Sequence, residues 1–90
     1  MIHAAILGLG RWGRGLVESV QNISEQIQFT HALVNSHEKH QEFADKNDLF
    51  LTSQYADILS NPGIDLVVIA TPHTMHVDQI IAAARAGKHV

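Results

Sequence analysis

Apolar residues along this chain fall into two alternating patterns, short unbroken runs and longer stretches with helical spacing. Ile2 to Leu7 is a run of the first kind and reads as a strand. Arg14 to Ile23 reads as an amphipathic helix. Its stripe takes in Trp12, Leu16, Val17, Val20 and Ile23, with Trp12 expected to pack inward. Gln28 to Val34 is a second strand, weakened by Thr30 and His31. Ser36 can cap a second helix that carries Glu38 in its first turn, turns Phe43 and Ala44 inward and ends near Asn47. Leu49 to Thr52 is a short strand, and Ser53 can cap a short helix bearing Tyr55, Ile58 and Leu59. Asn61-Pro62-Gly63 makes a turn, with the glycine free to take a positive φ.

Beyond that turn, Asp65 to Ala70 is unbroken and rich in β-branched residues, as a strand buried on both faces of a parallel sheet should be. Thr71-Pro72-His73-Thr74 ends it. Val77, Ile80, Ile81 and Ala84 then give another helical stripe. Gly87 stands where a helix C-cap belongs, with Arg85 and Lys88 suited to the negative end of the dipole. His89-Val90 begins a further strand. Strand and helix in alternation imply right-handed crossovers, and so an α/β, doubly wound parallel sheet in three layers that breaks off as a further strand starts.

Gly8-Leu9-Gly10-Arg11-Trp12-Gly13 follows the first strand directly and has the spacing G-x-G-x-x-G. Between a buried strand and a helix, that spacing is a dinucleotide-binding turn of the Rossmann type. Gly8 accepts the angles of a tight turn, and Gly10 lacks the Cβ that would hold a pyrophosphate off the main chain. Gly13 lets the helix lie close on the strand. The first amides of the helix have no intrahelical acceptor and carry the positive end of its dipole, so they suit phosphate oxygens. Arg11 can add a charge.

Ninety residues make one small domain, short for a complete dehydrogenase, so residues 1–90 are expected to be the cofactor domain of a larger two-domain protein. Nine acidic against six basic residues give a net charge of −3 and no basic surface for nucleic acid. No apolar run approaches the ~20 residues of a membrane span. The N-terminus lacks the basic flank and cleavage site of a secretion signal. With no cysteine to form disulfides or metal sites, the cytoplasm is the expected compartment.

GLGRWG at Gly8 to Gly13, DLVVIATP at Asp65 to Pro72, then His76, and AGKHV at Ala86 to Val90 together resemble the N-terminal half of the Gfo/Idh/MocA oxidoreductases. That family includes glucose-fructose oxidoreductase and inositol dehydrogenase. The resemblance covers essentially the whole chain. It implies that Gly8, Gly10, Arg11, Trp12 and Gly13 form the pyrophosphate turn, and that Asn35 and Ser36 meet the adenosine ribose. It implies further that Ala70, Thr71, Pro72 and His73 line the cofactor and that His76 marks the helix beside its nicotinamide end. The family's catalytic lysine lies in a Glu-Lys-Pro motif after the strand that AGKHV introduces. Lys88 is not that lysine, and residues 1–90 hold no catalytic residue and are expected to be inactive alone. In the full-length protein, hydride would pass between the nicotinamide and a hydroxyl-bearing carbon of a small molecule, a sugar or polyol. Assembly into a homo-oligomer is left open.

Dinucleotide turns commonly have an acidic residue about 20 residues on, which holds both ribose hydroxyls and selects NAD. Here the position is the neutral Asn35, with Lys39, His37 or His40 able to supply charge to a 2′-phosphate, so the cofactor is NAD or NADP. The pairs His37/His40 and His73/His76 share a helical spacing but have no third ligand at a fixed distance, and no metal is expected. Two other readings are a non-enzymatic NAD(P) sensor of the same fold and an S-adenosylmethionine-dependent methyltransferase. The second expects an acidic residue where Asn35 stands.

Overall fold

The computed structural model describes residues 2–21, 23–71 and 73–90, without the side chains of His73 and Thr74. Eight elements alternate along the chain. They are β1 (Ile2–Leu7), α1 (Arg11–Val20), β2 (Ile27–Leu33), α2 (His37–Asn47), β3 (Phe50–Thr52), α3 (Tyr55–Leu59), β4 (Leu66–Ile69) and α4 (His73–Arg85). The strands form one parallel sheet in the order β3-β2-β1-β4.

β1 lies in the middle of the sheet, and its residues from Ala4 to Leu7 are completely buried. Alternate side chains feed two separate cores. Ala4 and Ile6 join Val17 of α1, Phe29 and Ala32 of β2 and Ala44 of α2 on one face. Ala5 and Leu7 join Ile58 of α3, Val67 of β4 and Ala83 of α4 on the other. Helices thus cover both faces, giving the expected three layers and Rossmann-like topology. The β1–β2 register slips between Ala4 and Ala5, which pair with Phe29 and His31.

Several local expectations shift. α1 begins at Arg11 rather than Arg14, because extended Gly10 serves as its N-cap, and Gln21 leaves the helix in an extended conformation. Its buried line is Gly13, Val17 and Gln21. Trp12 and Ile23 are each 72% exposed, so the two ends of the expected apolar stripe lie off the packing face, while Val17 is buried and Leu16 and Val20 pack against the core. A glycine and a glutamine hold positions that hydrophobic periodicity cannot register. β2 runs one residue earlier than expected. Ser36 stands at the N-cap of α2 without a side-chain cap bond, and α3 starts after Gln54, not Ser53. There the Thr52 hydroxyl accepts the Gln54 N–H at 3.1 Å and donates to Asp57 at 2.9 Å. Among the described residues only Gly8 and Gly87 are glycines at positive φ. The 61–63 turn is instead closed by the Gly63 N–H donating to the Asn61 side-chain oxygen at 2.8 Å.

β4 is only half-buried, with Val67 alone sealed on all sides. It flanks β1 on one edge, while among the described residues the other edge meets only the bridge from Leu66 to His89. Gly87 closes α4 at φ 78°, with the Gly87 N–H bonded to Ala84 O at 3.0 Å and the Lys88 N–H to Ala83 O at 3.1 Å. The Lys88 ammonium turns to the neighbouring loop and donates to the carbonyls of Asn61 and Ile64, each at 2.8 Å.

α4 also presents an unexpected face. Val77, Ile80 and Ile81 are 65, 43 and 45% exposed, and Gln79 and Ala83 pack against the sheet instead. Gln79 accepts a hydrogen bond from the Thr71 hydroxyl, and its carbonyl accepts one from Tyr55 at 2.9 Å. The His76 Nε2–H donates to Thr71 O. These polar links between α4 and the end of β4 fix the helix's rotation.

Candidate functional site

The chain leaves β1 toward β2 on one side and later returns to place β4 on the other. The carboxyl end of β1 is therefore the switch point where open α/β sheets bind ligands. A cleft of about 420 Å³ opens there. Its floor is the glycine turn, Gly8, Leu9 and Gly10. One wall is the end of β2 and the first turn of α2, from Leu33 to Ser36 with Lys39 and His40. The opposite wall is Ala70 and Thr71 after β4, with Met75 and Gln79 of α4.

Each glycine of the turn has a distinct steric task. Gly8 sits at φ 97°, which side chains rarely adopt, and a Cβ there would lie 3.1 Å from Ala70 O. A Cβ on Gly13 would lie 2.2 Å from Gly8 O, so its absence lets α1 close down on the turn. A Cβ on Gly10 would meet nothing within 4 Å. The protein does not need that space for its own packing. It is open at the floor of the cleft, where the first amides of α1 start. A pyrophosphate fits this cradle, because backbone donors and the dipole face it and no side chain obstructs it.

Arg14 joins two parts of the cleft. Its Nε–H donates to Leu9 O at 3.1 Å, and its Nη2 donates to Lys39 O at 3.1 Å and to His40 Nδ1 at 2.8 Å. The guanidinium lies 5.0 Å over the Phe43 ring. Arginine can only donate, so His40 Nδ1 accepts and its Nε2 carries the hydrogen. Burial, and then the Arg14 and Lys39 charges, hold the His40 pKa below its ordinary value.

Of the residues expected at a cofactor site, Gly8, Gly10, Asn35, Ser36, Ala70 and Thr71 meet in this cleft, and Gly13 lies directly beneath it. Arg11 and Trp12 are not among the cleft's lining residues, although their backbone amides open α1 directly after Gly10. With Gly15 and Leu16 they line a separate recess of about 480 Å³ on the outer side of α1. His76 is engaged with Thr71 O and is not among the cleft's lining residues. Pro72 and the His73 side chain lie outside the described residues. Met75, Gln79 and the bridging Arg14 carry no marker in the sequence. They belong to the site only because α4 and α1 turn those faces toward it.

The profile of the Gfo/Idh/MocA oxidoreductase family, NAD-binding Rossmann fold, matches residues 2–90. The chain belongs to this family. It is an NAD(P)-binding Rossmann domain of the Gfo/Idh/MocA oxidoreductases. It is 33% identical to the NADP(+)-dependent scyllo-inositol 2-dehydrogenase IolU of Bacillus subtilis, over 100% of this chain and 27% of that protein. The scyllo-inositol dehydrogenase of Lactobacillus casei, solved with NAD(H) and scyllo-inositol, superimposes with TM-score 0.90 at 25% identity. That match covers 100% of this chain and 27% of the other. Biliverdin reductase from Synechocystis, in complex with biliverdin and NADP+, matches at TM-score 0.88 and 30% identity, over 99 and 28% of the two chains. The chain thus spans about a quarter of the length of these Gfo/Idh/MocA relatives.

Proposed function

We propose that residues 1–90 are the cofactor domain of an NAD(P)-dependent dehydrogenase whose full-length form acts on a sugar or polyol. The observation that carries this reading is the unobstructed space at Gly10, set at the sheet's switch point between the left-handed Gly8 and the α1 amides. The polyol dehydrogenases among the relatives support the substrate class. In this reading Gly8, Gly10 and the start of α1 hold the pyrophosphate, while Asn35 and Ser36 face the adenosine ribose. Ala70 and Thr71 form the opposite wall. The nicotinamide would supply hydride acceptance or donation, and this domain supplies binding and orientation. Proton transfer would fall to a lysine outside residues 1–90. Among the described residues no helix is long and apolar enough to cross a membrane, and we place the protein in the cytoplasm.

Calorimetric titration of the protein with NAD, NADH, NADP and NADPH tests the reading, repeated with Gly10→Val. Saturable binding that is lost in a folded Gly10→Val variant is the expected result. Equal binding by wild type and variant would remove the glycine turn from the site. Turnover of scyllo-inositol with the preferred cofactor by the full-length protein, and none by residues 1–90 alone, would support the division of labour.

A further inference from the structure

We infer that the α2 wall of the cleft is a recognition site for the ribose 2′-phosphate, so that the protein prefers NADP to NAD. Lys39 and His40 are the contacting groups and Arg14 is their positioning residue. The inference rests on the dinucleotide reading above and adds a choice that this reading leaves open.

The electrostatics of the wall point one way. A residue that holds both ribose hydroxyls for NAD is a carboxylate, which would repel a phosphate. Asn35 holds that place at the end of β2 and is neutral, and none of the cleft's lining residues is acidic. Acidic residues outnumber basic ones in the chain as a whole, so a wall without them is contrary to the average composition. Lys39, one turn into α2, brings a formal positive charge to the cleft beside Asn35 and Ser36.

His40 is oriented for the same task. Its Nδ1 is occupied by Arg14 Nη2 at 2.8 Å, which leaves the Nε2–H as its donor. The same Arg14 nitrogen holds the Lys39 carbonyl at 3.1 Å, and Nε holds Leu9 O at the glycine turn. One guanidinium therefore fixes the distance between the pyrophosphate turn and the two α2 residues, and adds a second cation immediately behind the wall. A 2′-phosphate would receive charge-assisted hydrogen bonds there, whereas a bare 2′-hydroxyl would leave the cations without a counter-charge.

The test is calorimetric titration of the full-length protein with NAD and NADP, in the wild type and in Lys39→Met, Arg14→Met and Asn35→Asp. The wild type should bind NADP at least about tenfold more tightly than NAD, the worth of one charge-assisted bond to phosphate. Lys39→Met, an exposed position, should lose most of that ratio while NAD affinity stays within about twofold. Arg14→Met should lower the ratio as well, whereas a general loosening of the fold would weaken both cofactors alike. Asn35→Asp should reverse the preference. NAD binding as tight as NADP, or a Lys39→Met variant that weakens both equally, would overturn the 2′-phosphate site and leave the dinucleotide reading standing. If neither nucleotide binds, the dinucleotide reading falls and this inference with it.

Discussion

Replacing Gly13 with alanine sets two effects of known sign against each other. Alanine in a helix interior is favoured over glycine by about 1 kcal/mol. Yet the new Cβ would lie 2.2 Å from Gly8 O, 3.1 Å from Gly8 C and 3.4 Å from Ala70 Cβ. The closest neighbour is backbone, and Gly8 is itself tied into the sheet by its N–H to Leu33 O at 2.9 Å. It cannot swing aside as a flexible side chain would. The start of α1 must retreat by about 1 Å, opening its contact with β1, and overpacking of this kind costs roughly 1–3 kcal/mol or more. Because the obstacle is rigid, the upper part of that range applies, and the net loss after the propensity gain is about 2 kcal/mol. For a unit of this size, that is a fall of roughly 8–16 °C in Tm. Thermal unfolding of Gly13→Ala followed by circular dichroism measures it directly. A variant as stable as the wild type would show that α1 is not pinned against the turn, and would remove the steric account of the third glycine.

Two further outcomes follow from buried and titrating groups. β3 pairs with β2 only from His31 onward, so the Phe29 main chain takes its bonds from Gln21 instead. Gln21 Nε2 donates to Phe29 O at 2.8 Å and to Asn47 O, and its Oε1 accepts the Phe29 N–H at 3.0 Å. Gln21→Leu should cost roughly 2–4 kcal/mol in urea unfolding through the unpaired groups it leaves, and a loss below that of an ordinary surface change would refute the role. For pH, burial holds His31 below its ordinary 6.5, and burial with the Arg14 and Lys39 charges does the same for His40. The unfolded chain then binds more protons over the interval just below 6.5. The stability that the neutral rings contribute is complete above that value and declines as pH falls through the lower, folded-state pKa values. The histidine contribution to Tm should therefore be level above 6.5 and fall as the pH drops below it, with a shallower fall in a His31→Gln/His40→Gln variant. Identical slopes in the two proteins would count against it.

Much of the site was legible before any coordinates, because glycine constraints are local. The spacing of Gly8, Gly10 and Gly13 reflects a left-handed angle, an open cradle and a close helix contact, and each appears at the expected residue. The family resemblance pointed to Asn35, Ser36, Ala70 and Thr71 as well, and the fold gathers them at one edge of the sheet because they lie just past the ends of parallel strands. The Gly87 C-cap and the start of pairing at His89 were likewise written into the chain.

What the sequence by itself determined is thus the element order, the parallel sheet and the sheet edge that carries the glycine turn and its cleft, all consequences of hydrophobic period and glycine spacing. Only the tertiary structure decided which way the helices turn. In α4 hydropathy marks the stripe of Val77, Ile80, Ile81 and Ala84, but its alanines leave another face equally able to pack. The bonds of His76 and Gln79 to Thr71 and Tyr55, with the small Ala83 against the sheet, choose one and leave Val77, Ile80 and Ile81 outside. In α1 the packing line runs through Gly13, Val17 and Gln21, which turns Trp12 outward and directs Arg14 across to α2. A rotation of one residue about a helix axis barely changes its period but exchanges the side chains that reach the cleft. Period alone therefore could not place Arg14, Met75 or Gln79.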